Sequence, residues 1–225
     1  MARPLRIAAG GIIYHVHNRG NGQMRIFTQD SDYDAFEQLL SEAQEHIRMR
    51  VLAYCLMPNH WHLVLWPYLD GDLTSFLSWL TMTHAQRWHA YRGTVGSGHL
   101  YQGRFKSFAV ETDDHFLKVC RYVERNALRA NLVDRAEQWR WCSLCHRESG
   151  SSFAQRLLNE WPVDRVDNWV NWVNEPQTQQ ELEAIRHSLV RSHPFGSDSW
   201  RDSVGEQLGL AIASRPRGRP RKNGS

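Results

Sequence analysis

Arg50-Val51-Leu52-Ala53-Tyr54-Cys55-Leu56-Met57-Pro58-Asn59-His60-Trp61-His62-Leu63-Val64-Leu65-Trp66-Pro67 reads as two strands folded back about a central break. Arg50 to Leu56 is apolar and aromatic enough for a buried strand, Met57-Pro58-Asn59 interrupts it, and His60 to Trp66 runs on until Pro67 stops it. The two make a β-hairpin. In the second strand, residues two apart point to one face, so His60 and His62 present their imidazoles together while Trp61 points away.

Working outward, Gly11 to His17 is a β-branched and aromatic strand, followed by the turn cluster Asn18-Arg19-Gly20-Asn21-Gly22, rich in residues that tolerate positive φ. Asp32 to Ile47 carries Phe36, Leu39, Leu40 and Ala43 at helical spacing. Beyond the hairpin, Leu73 to Tyr91 is a second helix, Gly93 to Gly98 a glycine-rich loop, and Leu100 to Val110 alternates as a strand. Thr112 is placed to cap a third helix, with Asp113 and Asp114 in its positive first turn. This β-α-β-β-α-β-α order predicts an α+β domain, an antiparallel sheet covered by helices, ending near Trp141. From Pro162 the chain is helical and rich in tryptophan, and it breaks at His193-Pro194-Phe195-Gly196.

The 225 residues suffice for one full domain and an extension, and 41% hydrophobic residues support a core. Net charge is only +3, so overall charge points to no partner. Its distribution is more telling: Arg215-Pro216-Arg217-Gly218-Arg219-Pro220-Arg221-Lys222 has no acidic residue and reads as a disordered arm. No stretch approaches a membrane span or a signal peptide. A cytoplasmic protein is expected, in which the four cysteines are not disulfides.

Several groups carry chemistry. His60 and His62 offer two ligands to one metal ion, although two partly buried strand histidines give the same pattern, and His15-Val16-His17 repeats it upstream. Spacing does not separate the two pairs. In the helix after Thr112 the core stripe is Phe116, Val119, Cys120, Val123 and Ala127; Tyr122 and Asn126, four apart, share its flank beside Lys118 and Arg129. Arg104 and Lys106 alternate onto one strand face suited to phosphates. Cys142-Ser143-Leu144-Cys145-His146 matches the haem-attachment spacing, but such attachment belongs to exported proteins and no export signal is present. Gly218-Arg219-Pro220-Arg221-Lys222 is similar to the core of an AT-hook, an extended arm for the minor groove.

Taken together, these segments resemble the REP-associated tyrosine transposases, relatives of the single-strand insertion-sequence transposases of the HUH superfamily. The resemblance is carried by Tyr14-His15-Val16-His17-Asn18-Arg19-Gly20, by Met57 to Pro67, by Tyr101-Gln102-Gly103-Arg104-Phe105-Lys106-Ser107, by Arg121 to Ala130, and by Pro194-Phe195-Gly196 with Arg217 to Lys222. It selects His60 and His62 over His15 and His17. Two departures stand out. Asn126-Ala127 replaces the usual Asn-Pro, which is expected to leave the helix intact, and Cys142 replaces a serine, which favours packing over haem chemistry.

What the resemblance implies is an HUH-type antiparallel sheet of ferredoxin-like character over residues 1–145, a helical extension over 146–213 and a basic arm over 214–225. It further implies metal-dependent DNA cleavage and rejoining at short palindromic hairpins, with Tyr122 forming a 5′-phosphotyrosine. His60, His62 and Asn126 would hold Mg2+ or Mn2+. Asn18, Arg19, Arg104, Lys106, Arg129, Arg217, Arg219, Arg221 and Lys222 would contact DNA. The implied partner is single-stranded or hairpin DNA of repetitive extragenic palindromes, bound by a monomer or homodimer that is nucleoid-associated, with no membrane partner. Two other classes use the same residues: a sequence-specific organiser of palindromic repeats with little catalysis, and a small-molecule hydrolase built on H-x-H. A covalent protein–DNA adduct separates them.

Overall fold

The computed structural model describes residues 8–210; the basic arm, with Arg217, Arg219, Arg221, Lys222 and the AT-hook-like segment, lies outside them. Strands β1 (Ile13–Arg19), β2 (Met49–Met57), β3 (His60–Pro67) and β4 (Lys106–Val110) form one sheet in the order β2-β3-β1-β4. Every neighbouring pair is antiparallel. With α1 (Asp30–His46) between β1 and β2, and α2 (Asp72–Tyr91) between β3 and β4, this is the β-α-β-β-α-β ferredoxin-like arrangement. The expected hairpin is present, its strands joined through Pro58 and Asn59.

Alternation divides the strand side chains between two cores. Tyr14, Val16, Trp61, Leu63 and Leu65 face α1 and α2, packing with Phe36, Leu40, Phe76 and Leu77. Ile13, Val64, Phe108 and Val110 face the opposite way, toward α3 (Asp114–Glu124), with Phe116, Val119 and Val123. Trp61 therefore leaves the histidine face, and its Nε1 donates to the Tyr101 hydroxyl at 3.0 Å.

Three local expectations are corrected. The residue at the N-terminus of α3 whose side chain caps it is Asp113, not Thr112: its carboxylate accepts from the His115 N–H at 2.7 Å. The strand expected from Leu100 begins at Lys106; Tyr101 makes only an isolated bridge to Gly20. The glycine there is needed, since a Cβ on Gly20 would lie 2.5 Å from the Met24 carbonyl oxygen. Nor does Ala127 keep the Tyr122 helix continuous: α3 ends at Glu124, and α4 (Asn126–Arg129) restarts after Arg125.

The remaining helices are α5 (Ser143–Glu148), α6 (Ser152–Leu157), α7 (Trp169–Asn174), α8 (Gln179–Arg191) and α9 (Asp198–Gln207). The chain around them closes both sheet edges, which would otherwise present unpaired backbone. At β2, Leu56 N–H donates to Trp141 O at 3.0 Å, and Asn159 N–H donates to Val51 O at 2.9 Å. A bulge between Val51 and Ala53 leaves Leu52 O for Trp161 Nε1, at 2.7 Å, and Arg147 Nη2, at 3.0 Å. At β4, Phe195 joins by parallel pairing, its N–H reaching Ala109 O at 2.8 Å while its carbonyl accepts from Glu111 N–H at 2.9 Å.

The same region grips α3. Arg121, buried, donates to the carbonyls of Trp172 (2.7 Å), Glu175 (2.9 Å) and Pro176 (3.3 Å). Arg125 donates to Val173 O (2.9 Å) and Asn174 O (2.5 Å). Two guanidiniums thus meet the free carbonyls at the C-terminal end of α7, where cations are favoured. Cys142 is fully buried against β2, and His146 bonds Glu37 and Ser151, so the C-x-x-C-H stretch is consumed by packing.

Candidate active site

The β1–β3 register builds the site. His17 lies directly opposite His62, and Arg19 opposite His60. Opposed residues of an antiparallel pair project to one face with Cβ atoms about 4.5–5.5 Å apart. The two H-x-H pairs, between which the resemblance chose, are thus one cluster. Ring centroids stand 4.7 Å apart for His17 and His62, 5.1 Å for His60 and His62, and 5.4 Å for His17 and His60. One nitrogen from each of the three rings lies within 4.8 Å of the others.

His15, fully buried, lies behind this group. Its Nε2 is 2.9 Å from His62 Nδ1. His60 Nδ1 donates to Asn59 Oδ1 at 2.6 Å. Both contacts occupy a δ-nitrogen and leave the ε-nitrogen for a ligand, the usual way a metal-binding imidazole is oriented. The donor set therefore suits a divalent cation.

Burial dominates the electrostatics. It pulls the pKa of His60 down to about 4, with help from Arg19 and Arg129. It takes His17 down to about 2, with the neighbouring imidazoles and the cations Arg19 and Lys106 adding to it. His62 falls well below its ordinary value, and His15 to about 3. All four are neutral at neutral pH, and His17, His60 and His62 can each offer the lone pair of an unprotonated ring nitrogen.

Tyr122 reaches this cluster from α3. It is buried rather than at a wet edge, and its ring meets His62 at 5.8 Å and His15 at 6.1 Å, both edge to face. Arg129 stacks on the other side, its guanidinium carbon 4.2 Å from the Tyr122 ring centroid. The same guanidinium donates to Tyr122 O at 3.3 Å and Asn126 Oδ1 at 2.7 Å. Asn126 thus remains beside Tyr122 across the helix break, but its amide oxygen is engaged by Arg129. Its Nδ2 is buried with no hydrogen-bond partner among the described residues.

Two other tyrosines that could rival Tyr122, Tyr14 and Tyr101, point to the far face of the sheet. The Tyr14 hydroxyl bonds the backbone of Ala9, and that of Tyr101 donates to His84 Nδ1 at 2.6 Å. Of the residues expected to touch DNA, Arg19, Lys106 and Arg129 are near enough to act electrostatically on the histidines. Asn18 is not among them: it faces the other core, is buried, and accepts from Arg19 N–H at 2.9 Å. Arg104 is exposed in the bend before β4, where no strand alternation aligns it with Lys106.

Comparison with known proteins follows the same lines. No curated protein matches the chain. Among solved structures, one of a REP-associated tyrosine transposase bound to a REP hairpin aligns with a TM-score of 0.53 at 16% identity, covering 73% of this chain and 94% of that one. At that identity it supports the fold alone. A crystal structure of a transposase candidate from Deinococcus radiodurans R1 aligns at 16% identity over 55% of this chain and 96% of its own, with a TM-score of 0.38 too low to add weight. The model of the family described as "Transposase IS200 like" matches residues 9–126, more than half of the chain and the whole span from β1 through Asn126. This chain therefore belongs to the IS200-like transposases.

Proposed function

We propose that this transposase cleaves and rejoins single-stranded DNA beside short palindromic hairpins, with Tyr122 as the nucleophile. The observation that carries the reading is the position of Tyr122, edge-on to His62 at 5.8 Å and stacked under Arg129 at 4.2 Å. The Tyr122 oxygen attacks the scissile phosphorus, a Tyr–O–P bond forms, the bond to the 3′ oxygen breaks, and that oxygen leaves as a 3′-hydroxyl after taking up a proton. The phosphate ester energy stays in the 5′-phosphotyrosine, so rejoining needs no nucleotide hydrolysis. A divalent cation held by His60 and His62 would withdraw charge from the phosphate oxygens.

The chain's own residues do the rest. Arg129 holds the nucleophile's ring, its backbone carbonyl and Asn126 in one arrangement, and positioning of this kind accounts for much of the catalysis of phosphoryl transfer. Arg19 and Lys106 flank the imidazoles on the sheet and supply positive charge to a strand crossing that face. Hairpin DNA as the partner takes support from the hairpin bound to the structurally similar transposase.

The test is an adduct assay. Wild-type protein, a divalent cation and an oligonucleotide hairpin with single-stranded flanks are expected to give a covalent complex on a denaturing gel. Tyr122→Phe is expected to abolish it while hairpin affinity stays within a few-fold. An adduct persisting in the Phe variant would move the nucleophile elsewhere. Hairpin binding without any adduct would favour an organiser of palindromic repeats.

A further inference from the structure

We propose that the cavity between α1 and α2 receives one unstacked nucleobase, which accepts a hydrogen bond from His84 Nε2–H and packs against Trp88 and Tyr91. The cavity lies on the other side of the sheet from the histidine cluster, so its occupant is not the nucleotide proposed to be cut. The proposal depends neither on Tyr122 as nucleophile nor on a metal.

A chain of hydrogen bonds fixes the tautomer of His84. The indole of Trp61 can only donate, and its Nε1–H goes to the Tyr101 hydroxyl at 3.0 Å. The hydroxyl's single proton is then given to His84 Nδ1, at 2.6 Å. Burial lowers the His84 pKa to about 3, so the ring is neutral at neutral pH and its one proton sits on Nε2. Phe27 stacks on this ring at 5.7 Å and Phe36 meets it edge to face at 4.9 Å, which holds it in place. His84 is 6% exposed and lines the cavity, and Nε2 has no hydrogen-bond acceptor among the described residues. A buried donor without an acceptor is costly, and an acceptor on a ligand removes that cost.

The lining selects the chemistry of the occupant. The cavity measures about 280 Å3, and Ala35, Leu39, Trp88 and Tyr91 give it apolar walls with two aromatic rings. That is room for one ring system rather than an extended molecule. Its other polar groups are already spent. Trp88 Nε1 donates to Ile26 O at 2.9 Å, and the Asp32 carboxylate accepts from Thr28, Gln29 and Arg92. What remains suits a flat, neutral group with an acceptor edge, and every nucleobase has both that edge and a face to stack. Arg87 lines the same cavity with its side chain 56% exposed, paired to Glu42 at 2.8 Å. A phosphate attached to the base can take the place of that surface partner. A free nucleotide and an unpaired base of DNA beside a hairpin offer the same chemistry.

The experiment uses the full chain, with adenosine 5′-monophosphate as the free probe and ribose 5-phosphate as the control that lacks a base. Calorimetry gives affinity, and proton–nitrogen correlation spectra of the imidazoles follow His84. The nucleotide is expected to shift the His84 Nε2 resonance, whereas ribose 5-phosphate leaves it in place. Ala35→Trp fills the cavity from an exposed helix position. His84→Phe keeps a flat ring beside Phe27 and Phe36 but removes the donor, and thermal unfolding checks that both variants fold. Each should weaken the nucleotide by about tenfold, the scale of one stacking or hydrogen-bonding contact. A hairpin oligonucleotide with single-stranded flanks, made abasic at one flank position at a time, separates the two sources. An abasic site that lowers affinity for wild type but not for Ala35→Trp assigns the base to DNA. Nucleotide binding with no such position assigns the site to a free nucleotide. Equal binding of ribose 5-phosphate and the nucleotide, or no effect of Ala35→Trp on either the nucleotide or the hairpin, would overturn the nucleobase site.

Discussion

His62 is held from behind by His15, and that contact decides which of its nitrogens is available. For His62 Nε2 to offer a lone pair, its Nδ1 must carry the proton and donate to His15 Nε2, at 2.9 Å. His15 then carries its own proton on Nδ1, which is buried without a partner among the described residues. His15→Phe keeps the ring and its packing against Phe108 but removes the acceptor. It is expected to lower Co2+ or Mn2+ affinity by about 10–100-fold, the range for losing an orienting partner of a metal ligand; calorimetric titration measures it. Arg129 offers a second residue-scale test. Arg129→Lys keeps the charge but loses the planar stack on Tyr122 and the paired donors to Tyr122 O and Asn126. Single-turnover adduct formation should slow by roughly 100-fold, the order expected from a small misplacement of a reacting group, with hairpin affinity reduced far less.

Among the elements, α3 has two tasks on opposite sides. Tyr122 faces the sheet, while Arg121 and Arg125 reach across to the C-terminal end of α7. Arg121 is 4% exposed, and its truncation leaves three backbone carbonyls without their charged donor. Arg121→Ala should cost about 2–3 kcal/mol, in the range for buried hydrogen bonds to a charged group, read as a lower midpoint in urea with an unchanged slope. Because the helix seats Tyr122, the proposed nucleophile, adduct formation near the new midpoint should fail before secondary structure is lost.

Over the whole molecule, buried neutral histidines set the response to acid. His84 lies on the other side of the sheet from the histidine cluster, is 6% exposed, accepts from the Tyr101 hydroxyl, and is brought by burial to a pKa of about 3. A histidine whose pKa is depressed on folding contributes stability that is complete above its unfolded value, near 6.5, and is lost as pH falls toward the folded value. Between roughly pH 6.5 and 3 the unfolded chain takes up a proton that the folded one does not, costing up to about 1.4 kcal/mol per pH unit for each such residue. His15, His17 and His60 act with the same sign. Denaturant unfolding is therefore expected to weaken steeply from pH 7 to 4.5, and His84→Gln, though less stable at pH 7, should show a shallower decline. Equal slopes in the two proteins would place the acid sensitivity elsewhere.

Much of this protein was legible from local pattern. The hairpin around Pro58 and Asn59, α1, α2 and the pairing of His60 with His62 on one strand face all follow from periods of two and 3.6 residues, which need no knowledge of distant contacts. The order of elements pointed to an antiparallel α+β sheet for the same reason. What only the tertiary structure decided depends on register and on burial. His15-Val16-His17 has the spacing of His60-Trp61-His62 in the sequence, but nothing local says that β1 pairs with β3 so that His17 meets His62 and His15 falls behind it. On a helical wheel Tyr122 sits at the flank of the stripe; His15 and His62 on the sheet and the Arg129 stack cover it. Asn18 and Arg104 illustrate the same limit: one turned to the opposite core by a single step of alternation, the other left in a bend where β4 starts late. Side-chain periodicity is a property of neighbours in the chain, whereas strand register is settled by the summed burial of both sheet faces, and here that sum brings the imidazoles together.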